Sequence, residues 1–238
     1  MFNLGFFRYN VIMRKIVVVL YGPPGAGKGT QANLLASKLD LIHFDTGRFL
    51  ESIVHDPDRQ HEKVVRRERA LFDGGKLMTP SFVTGEVMRE ARRIAKAGWG
   101  MVLSGSPRTM YEAKKLYPLF EKLYGKKKVN VFVLEVPPSE SIRRNGARMV
   151  CKSCGYLLLT RFYPHRKPEH CPVCAGSFYK RSLDKPSVIK VRLKEYEERT
   201  FPIIDYVKKH GYNLHRVDAR PAPYQVMEHI YGHVKDRA

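Results

Sequence analysis

The sequence predicts an α/β protein: a doubly wound, five-stranded parallel sheet interrupted by one small insertion. Three observations predict it. KIVVVLYG (15–22) is a near-continuous apolar, β-branched run, the pattern of a parallel strand covered on both faces. Four further runs, LIHFD (41–45), GMVLSG (100–105), VNVFVLEV (129–136) and YNLHRVD (212–218), recur with helical stretches between them, and such alternation builds a doubly wound sheet. All four cysteines fall between 151 and 174, so residues 143–183 read as a separate unit set into the alternation.

In chain order, residues 1–13 read as an N-terminal extension. They lack the leading basic region and small-residue cleavage site of a secretory signal. KGTQANLLASKL places Ala32, Leu35 and Leu39 on one helical face. Residues 81–97 and 185–209 read as further helical stretches, giving a core of 14–44, 80–142 and 184–238. With 43% hydrophobic residues among 238 the chain can bury a core, and no segment approaches the roughly 20 apolar residues of a membrane span. Lys and Arg number 43 against 23 Asp and Glu, a net charge of +20. That balance suits an anionic partner, or else only a solvated surface.

GPPGAGKGT (22–30) follows the first strand and opens the first helix. It departs from the phosphate-loop pattern G-x-x-x-x-G-K-[ST] at the last place, where Gly29 separates Lys28 from Thr30. Glycines let backbone N–H groups converge on phosphate, and the helix N-terminus adds positive potential. Gly25, Ala26, Gly27, Lys28, Gly29 and Thr30 are therefore candidates to hold phosphate. A plain glycine turn is the alternative, which the lysine and the strand–helix context disfavour.

CKSC (151–154) and CPVC (171–174) give the spacing C-x2-C-x16-C-x2-C. Two such knuckles supply four thiolates, Cys151, Cys154, Cys171 and Cys174, for a closed structural Zn²⁺ site in a reducing compartment. His165 and His170 stand nearby as less well spaced substitutes. A unit this small has little core, so zinc would supply much of its folding free energy.

GPPGAGKGTQA resembles the phosphate loop of adenylate kinases. HFDTG (43–47), GKLMT (75–79), SGSPRT (104–109, against the family's DGFPRT), RNGAR (144–148) and RTFPIIDY (199–206) follow in the family's order, so the resemblance spans about residues 14–235. It implies a P-loop nucleotide kinase fold, with 45–79 binding a monophosphate and 143–183 forming a zinc-binding lid. It implies Mg-ATP and AMP as substrates, two ADP as products, structural Zn²⁺, and Mg²⁺ with the ATP. Lys28, Arg108, Arg148, Arg181 and Arg192 would surround the transferring phosphate. Arg144 and Arg148 would join the loop on ATP; Thr46, Arg48, Met78, Gly105, Arg108, Glu112, Arg181 and Arg192 would hold the acceptor. A cytoplasmic monomer is expected, with no membrane or nucleic-acid partner.

The chain departs from the family at several places. Arg48 stands where the family has Asp and Glu51 where it has Arg, a charge exchange at i, i+3. Glu112 replaces a Gln that reads adenine, and an ionised Glu only accepts hydrogen bonds. Leu158 and Leu159 replace a frequent Tyr-His. Ser104 replaces the acid at the tip of the third strand, and Leu183 replaces the first of two acids, leaving Asp184. Two alternatives follow: a nucleoside-monophosphate kinase for another acceptor base, and a weakened nucleotide-binding protein that also binds nucleic acid.

Overall fold

The structure is a computed structural model and describes residues 14–163 and 168–235. The N-terminal extension and His165 lie outside the described residues. β1 (Val17–Tyr21) is wholly buried. It pairs in parallel with β3 (Met101–Leu103) on one side and β4 (Val129–Glu135) on the other. With β2 (Ile42–Phe44) and β8 (Asn213–Asp218) the order is β2-β3-β1-β4-β8, all parallel.

Strand side chains alternate between faces, and both faces are covered. Val17, Val19 and Tyr21 join a cluster with Val87 and Ala91 of α4 (Pro80–Lys96), Leu116 and Phe120 of α5 (Met110–Tyr124) and Val207 of α8 (Ile203–Lys209). Ile16, Val18 and Leu20 join Leu35 and Leu39 of α1 (Lys28–Leu39) and Val226 and Ile230 of α9 (Pro223–Val234). This explains why β1, β3 and β4 read as nearly unbroken apolar runs. They are one to three residues shorter than their runs, because the flanking residues turn into the loops that form the site.

Two segments leave this core. Residues 45–79 hold α2 (Thr46–Val54) and α3 (Lys63–Asp73). Asp45 caps α2, its Oδ1 accepting from the Arg48 backbone N–H at 3.2 Å. α6 (Pro138–Ala147) then leads into β5 (Met149–Cys151), β6 (Leu157–Leu158) and β7 (Phe178–Tyr179), an antiparallel sheet ordered β6-β5-β7. The helical stretch expected over 185–209 is not continuous. α7 (Pro186–Glu195) passes into a π turn at Tyr196–Thr200, where the Phe201 N–H reaches back five residues to the Tyr196 carbonyl at 2.8 Å. Pro202, which has no N–H to continue the ladder, separates that turn from α8.

Candidate active site

The loop between β1 and α1 is shaped by glycines in backbone conformations that other residues rarely adopt. Gly27 caps α1 with a left-handed φ of 91°. Gly25, at φ +80°, lies so close to α6 that an added Cβ would stand 2.5 Å from Asn145 Nδ2 and 2.8 Å from the Ser141 carbonyl. The Ser141 hydroxyl donates to the Pro24 carbonyl, seating the loop on α6. Lys28 folds back over its own loop, Nζ donating to the carbonyls of Gly22 at 2.7 Å and Pro23 at 2.9 Å.

A cavity of about 1170 Å³ opens beyond the loop, at the carboxyl ends of the parallel strands, where ligands of open α/β sheets bind. Gly25, Gly27, Lys28, Gly29 and Thr30 line one wall, and Gly105 and Arg108 the next. Arg148, Arg181 and Arg192 face them, and Arg48 and Glu51 line the side formed by α2. The cations outnumber their partners. Desolvation, reinforced by Arg108, Arg192 and Arg148, holds the Lys28 ammonium well below the ordinary lysine range. Burial, then Arg108, Arg148 and Arg181, brings Arg192 down to about 9. Burial also lowers Arg108, against the opposing pull of Glu112 and Asp45. Such a cluster gains most from a ligand carrying several negative charges, and guanidinium forks grip phosphate oxygens bidentately.

Asp184 positions two of the arginines. Arg148 donates to both its carboxylate oxygens and, at 2.8 Å, to Asn145 Oδ1. Arg192 lies 3.9 Å from the same carboxylate and donates to the Leu183 carbonyl at 3.2 Å.

Five of the expected residues lie outside the cavity lining. Glu112, expected to face the acceptor base, is 2% exposed. Its oxygens accept from the Arg108 backbone N–H at 3.0 Å and from the hydroxyls of Thr109 at 3.0 Å and Ser106 at 3.3 Å. It braces the loop carrying Arg108, a loop that includes the cis peptide Ser106–Pro107. Arg144 is bound to Glu140 at 2.6 Å and to the Arg220 carbonyl at 3.3 Å. Met78 belongs to the core cluster. The Ala26 N–H is spent on the Pro23 carbonyl at 3.1 Å. Thr46 is buried, its hydroxyl without a hydrogen-bond partner among the described residues, and packs where Gly105 leaves no room for a side chain.

Three further residues, Asn33, His43 and Asp45, line the cavity near Ser104 and had no role assigned from the sequence. Ser104 Oγ lies 2.8 Å from His43 Nε2, whose Nδ1 lies 2.6 Å from Asn33 Oδ1. Burial keeps the His43 pKa below the usual value. Asp45 lines the cavity beside them. Its place in HFDTG, directly after a strand, was the sequence signal for it.

The four cysteine sulfurs lie within 4.8 Å of one another, Cys151 to Cys174 at 3.5 Å and Cys154 to Cys171 at 3.7 Å. Four thiolates about 2.3 Å from one Zn²⁺ stand roughly 3.8 Å apart, so these residues fit that ion. The Cys154 backbone N–H helps draw the Cys151 thiol down to about 6, while the neighbouring sulfur of Cys174 helps push the Cys154 thiol up; a bound cation would hold both as thiolates. His170 instead bridges Ser177 in the backbone ladder.

A phosphate loop on the first strand of a parallel sheet, faced by arginines from three other segments, defines the P-loop phosphotransferases that act on nucleotides. A family model described as adenylate kinase matches residues 20–212. The chain is 36% identical over 195 residues to an adenylate kinase of Methanothrix thermoacetophila, covering 82% of this chain and 87% of that one. It is 34% identical over 194 residues to one from Caldicellulosiruptor bescii, with the same coverage. With one from Syntrophobacter fumaroxidans the identity is 32% over 218 residues, covering 91% and 97%. The chain belongs to the adenylate kinase family.

Proposed function

We propose that this chain transfers the γ-phosphoryl group of Mg-ATP to AMP, releasing two ADP. The observation that carries the reading is the convergence of Lys28, Arg108, Arg148, Arg181 and Arg192 on one cavity at the phosphate loop. An oxygen of the AMP phosphate forms a bond to the γ-phosphorus as the bond from that phosphorus to the β–γ bridging oxygen breaks. The attacking oxygen is already anionic, so no general base is needed, and catalysis rests on positioning and charge.

In this reading the loop from Gly25 to Thr30 cradles the ATP phosphates, and Lys28 leaves its carbonyl partners for them. Arg108 and Arg48 hold the acceptor phosphate. Arg148, Arg181 and Arg192 gather over the group in transit. Gly105 keeps the acceptor wall thin, while Thr46 and Met78 support it from behind. Phe49 and Phe72 line the cavity and give the acceptor base a surface to stack on. Mg²⁺, when bound with ATP, offsets phosphate charge, and Thr30 is the loop residue to hold it. Residues 143–183 act as a lid over the reacting groups, stiffened by Zn²⁺ on Cys151, Cys154, Cys171 and Cys174. In that unit Arg144 turns to ATP only after parting from Glu140. Among the described residues no helix is long and apolar enough to cross a membrane, and a cytoplasmic monomer accords with the reading.

A coupled assay tests it, offering ATP with AMP, GMP, CMP or UMP, with and without Mg²⁺. Rapid, Mg²⁺-dependent ADP formation with AMP is expected. A preference for another monophosphate overturns the acceptor, and no turnover with any of them overturns the reaction.

A further inference from the structure

The tip of β3 carries Ser104 in place of a carboxylate, yet the cavity does not lack one. β2 and β3 pair in parallel as Ile42 with Met101, His43 with Val102 and Phe44 with Leu103. One step further brings Asp45 beside Ser104 on neighbouring strand tips, about 4.8 Å apart in such a ladder. The two tips stay in contact beyond the paired residues, since a Cβ on Gly105 would stand 3.0 Å from Thr46 Cβ and 3.1 Å from the Gly47 nitrogen. Asp45 and Ser104 line the same cavity as Lys28 and Thr30.

The ordinary role of Asp45 is to cap α2, and one oxygen suffices for that. Oδ1 accepts from the Arg48 N–H, whereas Oδ2 has no hydrogen-bond or ion-pair partner among the described residues. Asn or Ser caps a helix about as well as Asp, so the charge exceeds what capping requires. That charge acts across the cavity on Lys28 and Arg108. Beside it, His43 orients Ser104. With Nδ1–H donated to Asn33, Nε2 accepts the Ser104 hydroxyl proton, which leaves the serine lone pairs for a donor from the cavity.

We infer that Asp45 supplies, one strand over, the carboxylate that faces the hydrated divalent cation of the ATP complex, with Ser104 as a neutral acceptor at its side. The inference rests on the phosphotransfer reading above. A cation that keeps most of its waters is held through them by oxygen acceptors, so moving the carboxylate to the adjoining strand preserves its reach.

Mn²⁺ titrated into the protein–ATP complex and followed by electron paramagnetic resonance tests this without relying on turnover. Asp45→Asn, which keeps the cap, is expected to weaken Mn²⁺ binding about tenfold, with metal-free ATP binding undiminished. Asp45→Ser is expected to lose as much, giving a second variant should one fold poorly. Placing Ser104→Asp in the Asp45→Asn background is expected to restore the affinity. If both single variants bind Mn²⁺ as tightly as the wild type, the inference is overturned; if the double variant stays weak, the equivalence of the two strand tips is overturned. Failure of the wild type in the coupled assay would sink the reaction instead, and the Mn²⁺ titration would still report on Asp45.

Discussion

Arg181, just past β7, donates to Glu51 of α2 at 3.0 Å, joining segments 130 residues apart in the chain. Arg48, one turn earlier on α2, packs beneath Gly155 so closely that a Cβ there would stand 2.6 Å from its guanidinium. The charge exchange at 48 and 51 thus has a structural outcome: Glu51 meets the arginine of the cysteine unit, and Arg48 lies under its first knuckle. Partly exposed ion pairs contribute up to about 1 kcal/mol. Glu51→Gln should therefore shift the free enzyme toward open forms by as much as about fivefold. Spin labels at Ser52 and Lys152 would register this as a longer distance distribution without nucleotide, and ATP should largely reverse it. An unchanged distribution would show that the pair does not hold the two walls together.

The crowded cations imply a pH dependence with a definite sign. Free Arg192 has its pKa lowered to about 9. Bound phosphates favour its charged form and raise that value, so binding takes up protons above about pH 9 and ATP affinity falls as pH climbs further. Titration calorimetry at about pH 9.5, in two buffers of different ionisation heat, should detect the uptake. Arg192→Gln should reduce it. Equal observed heats for the wild type in the two buffers would contradict the shift.

Removing the sulfur ligands should unfold one unit and spare the other. Cys171→Ser, or a strong chelator, is expected to abolish metal binding and expose residues 149–181 to protease. The strands of the main sheet are buried independently of it, so most of the helical circular dichroism should persist. Phosphotransfer should fall at least about tenfold, since Arg148 and Arg181 flank the unit. A variant that keeps its metal and its protease resistance would contradict the four-cysteine site.

Glu112→Gln separates bracing from base recognition. The amide loses one acceptor and turns a donor toward the N–H and hydroxyl groups that Glu112 now serves, so a loss of about 1–3 kcal/mol is expected. The ranking of AMP over other monophosphates should not change. Burial raises the Glu112 pKa, so its folded value exceeds its unfolded one, near ~4.3. Wild-type stability should consequently fall as pH rises from there through the folded value, a limb absent from the variant. Thermal melts across that range report both effects.

Much of this was readable in the chain because it depends on local pattern. Val17 to Leu20 read as a buried strand because helices cover both sheet faces, and the lysine-bearing glycine turn and paired cysteines carry their spacing with them. Pro202 marked the break in the 185–209 stretch, though helical periodicity on both sides concealed it. What could not be read depends on how loops turn and how strands register. Glu112 and the glutamine expected there have the same length, and only the fold of residues 106–109 decides that its carboxylate turns inward. Arg144 has Glu140 one helical turn before it, a pairing visible in the sequence but outweighed there by the family pattern. Asp45 gained significance only when the register of β2 against β3 set it beside Ser104.

Ser141 and Asn145, one turn apart on α6, touch the loop that would receive ATP, and Asn145 also receives Arg148. A single short helix therefore underlies both the phosphate loop and Arg148, and it leads on into the first cysteine knuckle. The seat of the phosphate loop and the orientation of Arg148 thus share one support, and a substitution at Asn145 would disturb both.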